Sequence, residues 1–231
     1  MDRVRSLYAV ATTVNDEAIL DALLPVNGGL FVDLGCGDGR FTSDAARRVG
    51  AGRTVGIETD ETYVKAATAR GIEVVEADLG QALPFEDTTV DGLVSNQVIE
   101  HLWDTDLFLK EIRRVLRPGG YAVVSTNNMA SWHNVVSLTM GWQPMPNHVS
   151  DEVVVGNPMN VDDRAPGSSY PMHRRIFTNR ALRELAEHHG LRVEHDVTAG
   201  YYPLGPKCSR IATRVDKRHG AFLVQRYQRV A

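Results

Sequence analysis

Residues 31–40, Phe-Val-Asp-Leu-Gly-Cys-Gly-Asp-Gly-Arg, constrain the fold of this chain more than any other segment. A short apolar run ends in an acid, and Gly35, Gly37 and Gly39 then alternate with other residues. Glycine lacks a Cβ, so the backbone can turn tightly and a ligand can lie against it. A buried strand that stops at such a loop and feeds a helix makes a nucleotide-type site at the carboxyl edge of a sheet.

The loop is not spaced like a dinucleotide fingerprint. G-x-G-x-x-G needs a third glycine for helix–strand packing, and Arg40 stands there, with Gly39 one residue early. No Gly-Lys-Ser/Thr follows, so a phosphate-loop reading fails as well.

Around the loop, strand and helix signals alternate, which predicts a parallel sheet with right-handed crossovers. Asn15-Asp16-Glu17 reads as a helix start, with Ile19, Leu20, Leu23 and Leu24 at helical spacing before Pro25. A first strand is expected over 30–34 and a helix over 39–49, closed by Gly50. Asp104 is placed to cap a helix carrying Leu107, Leu109, Ile112, Val115 and Leu116. Pro118-Gly119-Gly120 stops it before a strand over 121–126. Toward the end, Phe177-Thr178-Asn179 leads into a helix closed by Gly190, and residues 191–197 and 211–215 read as strands. Residues 216–231 mix basic and apolar side chains and read as a short surface helix, with a membrane or partner role open.

Asp33-Leu34-Gly35-Cys36-Gly37-Asp38-Gly39 resembles motif I of the class I S-adenosylmethionine-dependent methyltransferases, in the methyltransferase type 11-like small-molecule branch. Further segments match in family order across residues 30–126. They are Thr54-Val55-Gly56-Ile57-Glu58, Val74-Val75-Glu76-Ala77-Asp78, Leu83-Pro84-Phe85-Glu86-Asp87, Val90 to Ser95, Val98-Ile99-Glu100-His101-Leu102, and Arg114-Val115-Leu116-Arg117-Pro118-Gly119-Gly120. The resemblance implies an α/β, Rossmann-like sheet of seven strands, mostly parallel, with helices on both faces. Its last strand would enter antiparallel between strands five and six.

The same resemblance implies S-adenosyl-L-methionine as cofactor and S-adenosyl-L-homocysteine as product. Gly35, Cys36, Gly37 and Gly39 would approach the methionine portion, and Asp33 would attract its ammonium. Glu58, with Thr59 beside it, would accept both ribose hydroxyls, a geometry a carboxylate suits. Asp78 and the backbone at Leu79 would meet the adenine, and Asn96 and Gln97 the methionine end. Cys36 is also explained simply as a small residue in a tight loop.

Residues 127–172 lack a sustained pattern, and a stretch of that length in a compact domain is usually functional or disordered. Met129, Met140, Met145, Met159, Met172, Trp132 and Trp142 fall in it, side chains that suit an adaptable apolar pocket wall. A helix is expected over 131–141 with Trp132, Val135, Val136 and Met140 on one side, and Pro144, Pro146, Pro158, Pro166 and Pro171 interrupt the rest. We read the stretch as a substrate lid inserted in one methyltransferase domain spanning 1–231. A plain excursion over the sheet edge is the alternative.

If the acceptor is a hydroxyl, a general base assists, and histidine has a suitable pKa. His101 follows strand four, and His133 lies in the insertion. These two are the candidate catalytic residues. Trp132, His148, His173 and Arg174 are candidates for acceptor binding, and Arg174 and Arg175 could hold an acidic group or cover the sheet edge. No close metal-ligand spacing joins the eight histidines, so no metal is expected.

Net charge is −4, so no strong nucleic-acid footprint is present. Two cysteines, Cys36 and Cys208, make no disulfide framework. No stretch is apolar enough to span a bilayer, and the first residues lack a signal-peptide pattern, so a cytoplasmic enzyme is expected. A homodimer is compatible with these features.

The expectation is methyl transfer to a small or medium-sized acceptor, oxygen first. The stretch 127–134 and His173 to Thr178 look similar to methyltransferases near glycan and natural-product pathways. Nitrogen and carbon acceptors, and a nucleic acid or protein substrate, stay open. The rival classes are a Rossmann-type NAD(P)-binding oxidoreductase and a non-catalytic cofactor-binding partner subunit.

Overall fold

In β1 (Leu30–Leu34), Val32 and Leu34 point one way and Phe31 the other, and all three are fully buried. A strand buried on both faces belongs inside a sheet covered by helices on both sides. The computed structural model, which describes residues 2–159 and 172–230, has that arrangement. Seven strands lie in the order β3-β2-β1-β4-β5-β7-β6. They are β1, β2 (Arg53–Ile57), β3 (Glu73–Val75), β4 (Val90–Asn96), β5 (Leu116–Asn127), β6 (Leu191–Ala199) and β7 (Phe222–Arg229). The first five are parallel, and β7 runs antiparallel to both β5 and β6.

Two hydrophobic layers sandwich the sheet. On one face, Phe108, Leu109 and Ile112 of α4 (Thr105–Val115) and Leu182 and Ala186 of α6 (Asn179–His188) pack on Val32, Leu34, Leu93 and Val124. On the other, Ile19 and Ala22 of α1 (Asp2–Ala22) and Ala45 and Val49 of α2 (Arg40–Val49) pack on Phe31, Val94, Val123 and Val224. Each such side chain, fully buried, contributes roughly 1.5–3 kcal/mol of transfer free energy. α3 (Glu61–Ala69) joins β2 to β3, and its Ala67 packs with Cys36 and Ile72.

Local signals set most helix ends. Gly39, at φ 78°, precedes α2, and Gly50, at φ 65°, closes it with its N–H on the Ala46 and Arg47 carbonyls. Asp104 accepts from the Leu107 N–H at 2.8 Å, the expected cap of α4. Thr178 does the same for α6 from the Ala181 N–H.

Three expectations change. Residues 211–215 are not a strand, and among the described residues 216–230 hold no surface helix: α7 (Pro206–Val215) precedes β7 (Phe222–Arg229). Ile211 and Val215 stand in solvent, whereas Phe222 to Gln225 and Tyr227 are buried between β5 and β6. A strand inside a sheet needs apolar residues on both faces, and only the later segment supplies them. Second, α1 does not begin at Asn15 but runs through it. Asn15 is buried, donates to Asn96 Oδ1 at 3.0 Å and accepts from the Ser125 hydroxyl at 2.8 Å, so its side chain ties α1 to the sheet instead of capping it. Third, the helix of the insertion, α5 (Trp132–Thr139), turns its apolar side outward: Trp132, Val136 and Leu138 are exposed, while Asn134 and Ser137 are buried. Asn134 donates to the Asn128 carbonyl at 2.9 Å and Ser137 to the His133 carbonyl, which accounts for their burial. Pro166 and Pro171, and the rest of the insertion from 160 to 171, lie outside the described residues.

Candidate functional site

β1, β4 and β5 are neighbours and parallel, so their carboxyl ends, Leu34, Asn96 and Asn127, share one edge of the sheet. The glycine loop leaves that edge from β1. The Gly35 and Cys36 N–H groups both donate to the Ile57 carbonyl, at 2.9 and 3.0 Å, which pins the loop to the end of β2. A Cβ on Gly35, at φ 83°, would meet Val98 Cγ2 at 2.5 Å. A Cβ on Gly37, at φ 51°, would meet nothing within 4 Å, so open space lies against the backbone there. A Cβ on Gly39 would press on Ala67 of α3 at 3.0 Å, so this glycine permits helix packing one residue earlier than the dinucleotide pattern has it. Cys36 is buried over Gly56, and burial pushes its thiol up to about 12, so it is an inert small residue of the loop.

Glu58 follows β2 and is nearly buried. Its Oε2 accepts from the Gly37 N–H at 3.0 Å, and its Oε1 from the N–H groups of Thr59 at 2.8 Å and Asp60 at 3.0 Å. A carboxylate offers about four acceptor positions, so roughly one remains. Gripping two ribose hydroxyls would require it to release Gly37. Asp33, in β1, is buried and accepts from the Thr42 hydroxyl at 2.6 Å, while its Oδ1 has no hydrogen-bond partner. Burial pushes this carboxyl up to about 7; the Thr42 bond pulls the other way, and the Glu58 charge adds to the rise. An orphaned buried carboxylate oxygen behind a loop open at Gly37 is a receptive arrangement for a cationic ligand group.

The remaining predicted cofactor contacts divide. Asn96 ends β4, and its amide donates to Asp16 Oδ1 at 3.1 Å while its carbonyl accepts from Asn15. Gln97 has φ 58°, unusual for a residue with a Cβ, and its side chain donates to Ser125 Oγ at 3.2 Å. Both thus stand on the shared edge in fixed poses. Asp78 lies past the end of β3, exposed, and accepts from the Gly80 N–H at 2.8 Å, closing its own turn; Leu79 beside it is half-buried.

The histidines form two environments. His101 ends a 3-10 turn, Ile99–His101, and its ring lies 4.8 Å from that of His173, on which His148 stacks at 4.8 Å. Arg174 joins them: its N–H donates to the Glu100 carbonyl at 2.6 Å, its guanidinium pairs with Asp151 at 2.5 Å and lies 4.5 Å from the Trp103 ring. A cavity of about 200 Å³ opens here, lined by Trp103, His148, Asp151, Met172, His173 and Arg174 among others. Burial holds His173 below its ordinary pKa, against the pull of the Pro146 carbonyl. His133 belongs elsewhere, edge-on to Tyr202 at 5.0 Å and 3.2 Å from Ser131 Oγ, and burial pushes it down to about 4. The Trp132 ring lies tilted against that of His219 at 4.4 Å, and its N–H donates to Asp216 Oδ2 at 2.9 Å. The fold therefore gathers His101, His148, His173 and Arg174 and sends Trp132 and His133 to other neighbours.

Sequence reasoning missed Glu100 as a site residue, although its motif was noticed. It is fully buried, accepts from the Thr126 hydroxyl at 2.8 Å and from the Asn127 amide at 3.2 Å, and burial pushes it up to about 7 against those two bonds. The available signal was an acid set between Ile99 and a histidine in an otherwise apolar turn.

Comparison with known proteins agrees with this fold. The methyltransferase domain family matches residues 32–124. A probable S-adenosylmethionine-dependent methyltransferase of Mycolicibacterium smegmatis is 31% identical over 199 residues, 84% of this chain and 61% of that protein. A ubiquinone biosynthesis O-methyltransferase of Parvibaculum lavamentivorans is 29% identical over 153 residues, 61% of this chain and 58% of that one. This chain thus spans about three-fifths of the length of either relative. The crystal structure of an S-adenosylmethionine-dependent methyltransferase from Mesorhizobium loti superposes with a TM-score of 0.63 at 20% identity, covering 92% of this chain and 96% of that one. The matched domain, the strand order with β7 inserted antiparallel, and the loop after β1 support a class I S-adenosylmethionine-dependent methyltransferase.

Proposed function

We propose that this chain transfers the methyl group of S-adenosyl-L-methionine to a small or medium-sized acceptor, with oxygen as the favoured acceptor atom and S-adenosyl-L-homocysteine as product. The observation that carries the reading is the hydrogen bond of Glu58 to Gly37, which joins the glycine loop and the second-strand acid into one pocket wall. The pocket fits the cofactor: open backbone at Gly37 for the methionine portion, the unpartnered Asp33 Oδ1 for its ammonium directly or through water, and Glu58 for a ribose hydroxyl. Asn96, Gln97, Asp78, Leu79 and Thr59 complete the proposed wall. When bound, the cofactor supplies a methyl carbon activated by a sulfonium charge.

The chain's own task is to orient the acceptor and keep water out. The cavity lined by His173 and Arg174, with the His101 ring against His173, is where we put the acceptor, and the insertion over 127–172 acts as its lid. His101 serves as the base that takes the acceptor's proton, and Arg174 holds an acidic group if the acceptor has one. His133 is deeply enclosed and kept neutral by burial, which suits a lid-packing role better than a base. Oxygen is favoured by the histidine cluster and by the likeness to the ubiquinone-pathway O-methyltransferase. The exposed apolar Val149 that lines the cavity fits a glycan less well than a natural product with apolar bulk.

Calorimetric titration with S-adenosyl-L-methionine and with NADH tests the reading. Binding of the sulfonium cofactor near one molecule per chain is expected; NADH binding in its place would overturn it.

A further inference from the structure

We propose that Glu100, His101 and His173 form a site for one first-row divalent cation at the carboxyl edge of β4 and β5. Each offers a ligand atom, and the three atoms lie within 4.8 Å of one another. Nitrogen and oxygen ligands bind such ions at about 2.0–2.2 Å, so neighbouring ligand atoms of a tetrahedral ion sit roughly 3.3–3.6 Å apart. A closure of about an ångström completes the set, which rotation of a half-buried histidine ring supplies.

The surroundings orient these groups as outer partners orient metal ligands. His173 Nδ1 lies 2.9 Å from the Pro146 carbonyl, an oxygen that can only accept. That contact puts the proton on Nδ1 and leaves the Nε2 lone pair for another partner. Nε2 points toward Asn127, at 3.5 Å, and the same Asn127 amide reaches Glu100 Oε1 at 3.2 Å. The two N–H donors of one amide therefore face both acceptors, which brings the Glu100 carboxylate and the His173 Nε2 to one small space. Thr126 fixes the other oxygen of Glu100 at 2.8 Å. His148 braces the ligand ring from behind: its Nδ1 accepts the His173 main-chain N–H at 3.2 Å and its ring stacks on that of His173.

Two imidazoles and one carboxylate suit zinc, cobalt, iron or manganese rather than calcium or magnesium, which prefer all-oxygen shells. Three protein ligands leave at least one position for water or an added oxygen ligand. An imidazole nitrogen that holds the ion cannot take a proton, so the base role proposed for His101 belongs to the ion-free chain alone. No local spacing reveals the set, because His173 stands 72 residues beyond His101.

The test uses the full chain stripped with EDTA. Cobalt is titrated while its visible absorption is followed, and zinc and magnesium are titrated calorimetrically. One cobalt or zinc ion per chain is expected, with no comparable heat from magnesium. His173→Ala and His101→Ala should each weaken zinc binding by more than about 100-fold, beyond the 10–100-fold typical of losing an outer partner. Both variants are checked for a native circular dichroism spectrum and melting curve. Should Glu100→Gln fail to fold, the two histidine variants carry the test alone. Absence of stoichiometric ion binding by the folded wild-type chain, or zinc affinity untouched in both folded histidine variants, overturns the site. Cofactor binding measured in EDTA reads the methyltransferase proposal separately, so either can fail without the other.

Discussion

The Glu58 carboxylate accepts the Gly37 main-chain N–H at 3.0 Å, so the acid after β2 and the loop after β1 are one unit before any ligand arrives. Glu58→Ala should weaken S-adenosyl-L-methionine binding by about 1–3 kcal/mol, from the loss of charge-assisted hydrogen bonds. Calorimetry of the two proteins checks this, and equal affinities would remove Glu58 from the pocket.

Gly35 and Gly37 should respond differently to alanine. At Gly35 the new methyl collides with Val98 Cγ2, so Gly35→Ala should lower stability by roughly 1–3 kcal/mol in urea unfolding. At Gly37 there is room, so Gly37→Ala should cost about 1 kcal/mol, for the left-handed backbone alone, and act mainly on cofactor affinity. Equal stability losses would argue against the open space at Gly37.

Asp33 sets a pH dependence. Its carboxyl is raised from 3.8 to about 7 in the folded protein, so between those values the folded state holds a proton the unfolded state has lost. Stability must then fall as pH rises from about 4 to 7 and level off above. Asp33→Asn lacks this slope. Relative to wild type it should gain on the order of 2–4 kcal/mol between pH 4 and pH 8. Chemical denaturation at the two pH values measures the difference; parallel behaviour of the two proteins would refute a buried, proton-retaining Asp33.

His133 contributes the opposite slope. Burial lowers it from 6.5 to about 4, so the stability of its neutral form is present above pH 6.5 and lost as pH falls toward 4. His133→Gln should therefore overtake wild type by on the order of 1–3 kcal/mol across that window. A melting-temperature series from pH 7 to pH 4 reads it, and a constant gap would place His133 in solvent.

If His101 takes the acceptor's proton, His101→Ala should cut turnover roughly 10²–10⁴-fold with cofactor affinity retained. A loss of only a few-fold, once an acceptor is in hand, would return His101 to packing.

Much of the fold was legible because the signals are local. The apolar run ending at Leu34, the positive-φ glycines at 35, 37, 39 and 50, and the Asp104 cap each specify their own geometry within a few residues. The end of the chain was misread because residues 211–215 and 222–229 both contain β-branched or aromatic side chains, and the choice rests on which segment fills the slot between β5 and β6. Asn15 reads as a cap from its neighbours alone because its partners, Asn96 and Ser125, lie 81 and 110 residues away.

The sequence by itself determined the nucleotide-type loop, the parallel half of the sheet and the acids beside the loop, since hydrophobic period and backbone freedom act over short range. Tertiary structure alone decided that Asp33 keeps an unpartnered oxygen, that His101, His148 and His173 meet while Trp132 and His133 do not, and that Glu100 is buried among them. Desolvation and ring contact depend on what the rest of the chain stacks around a residue, and nothing in its own neighbourhood of sequence records that.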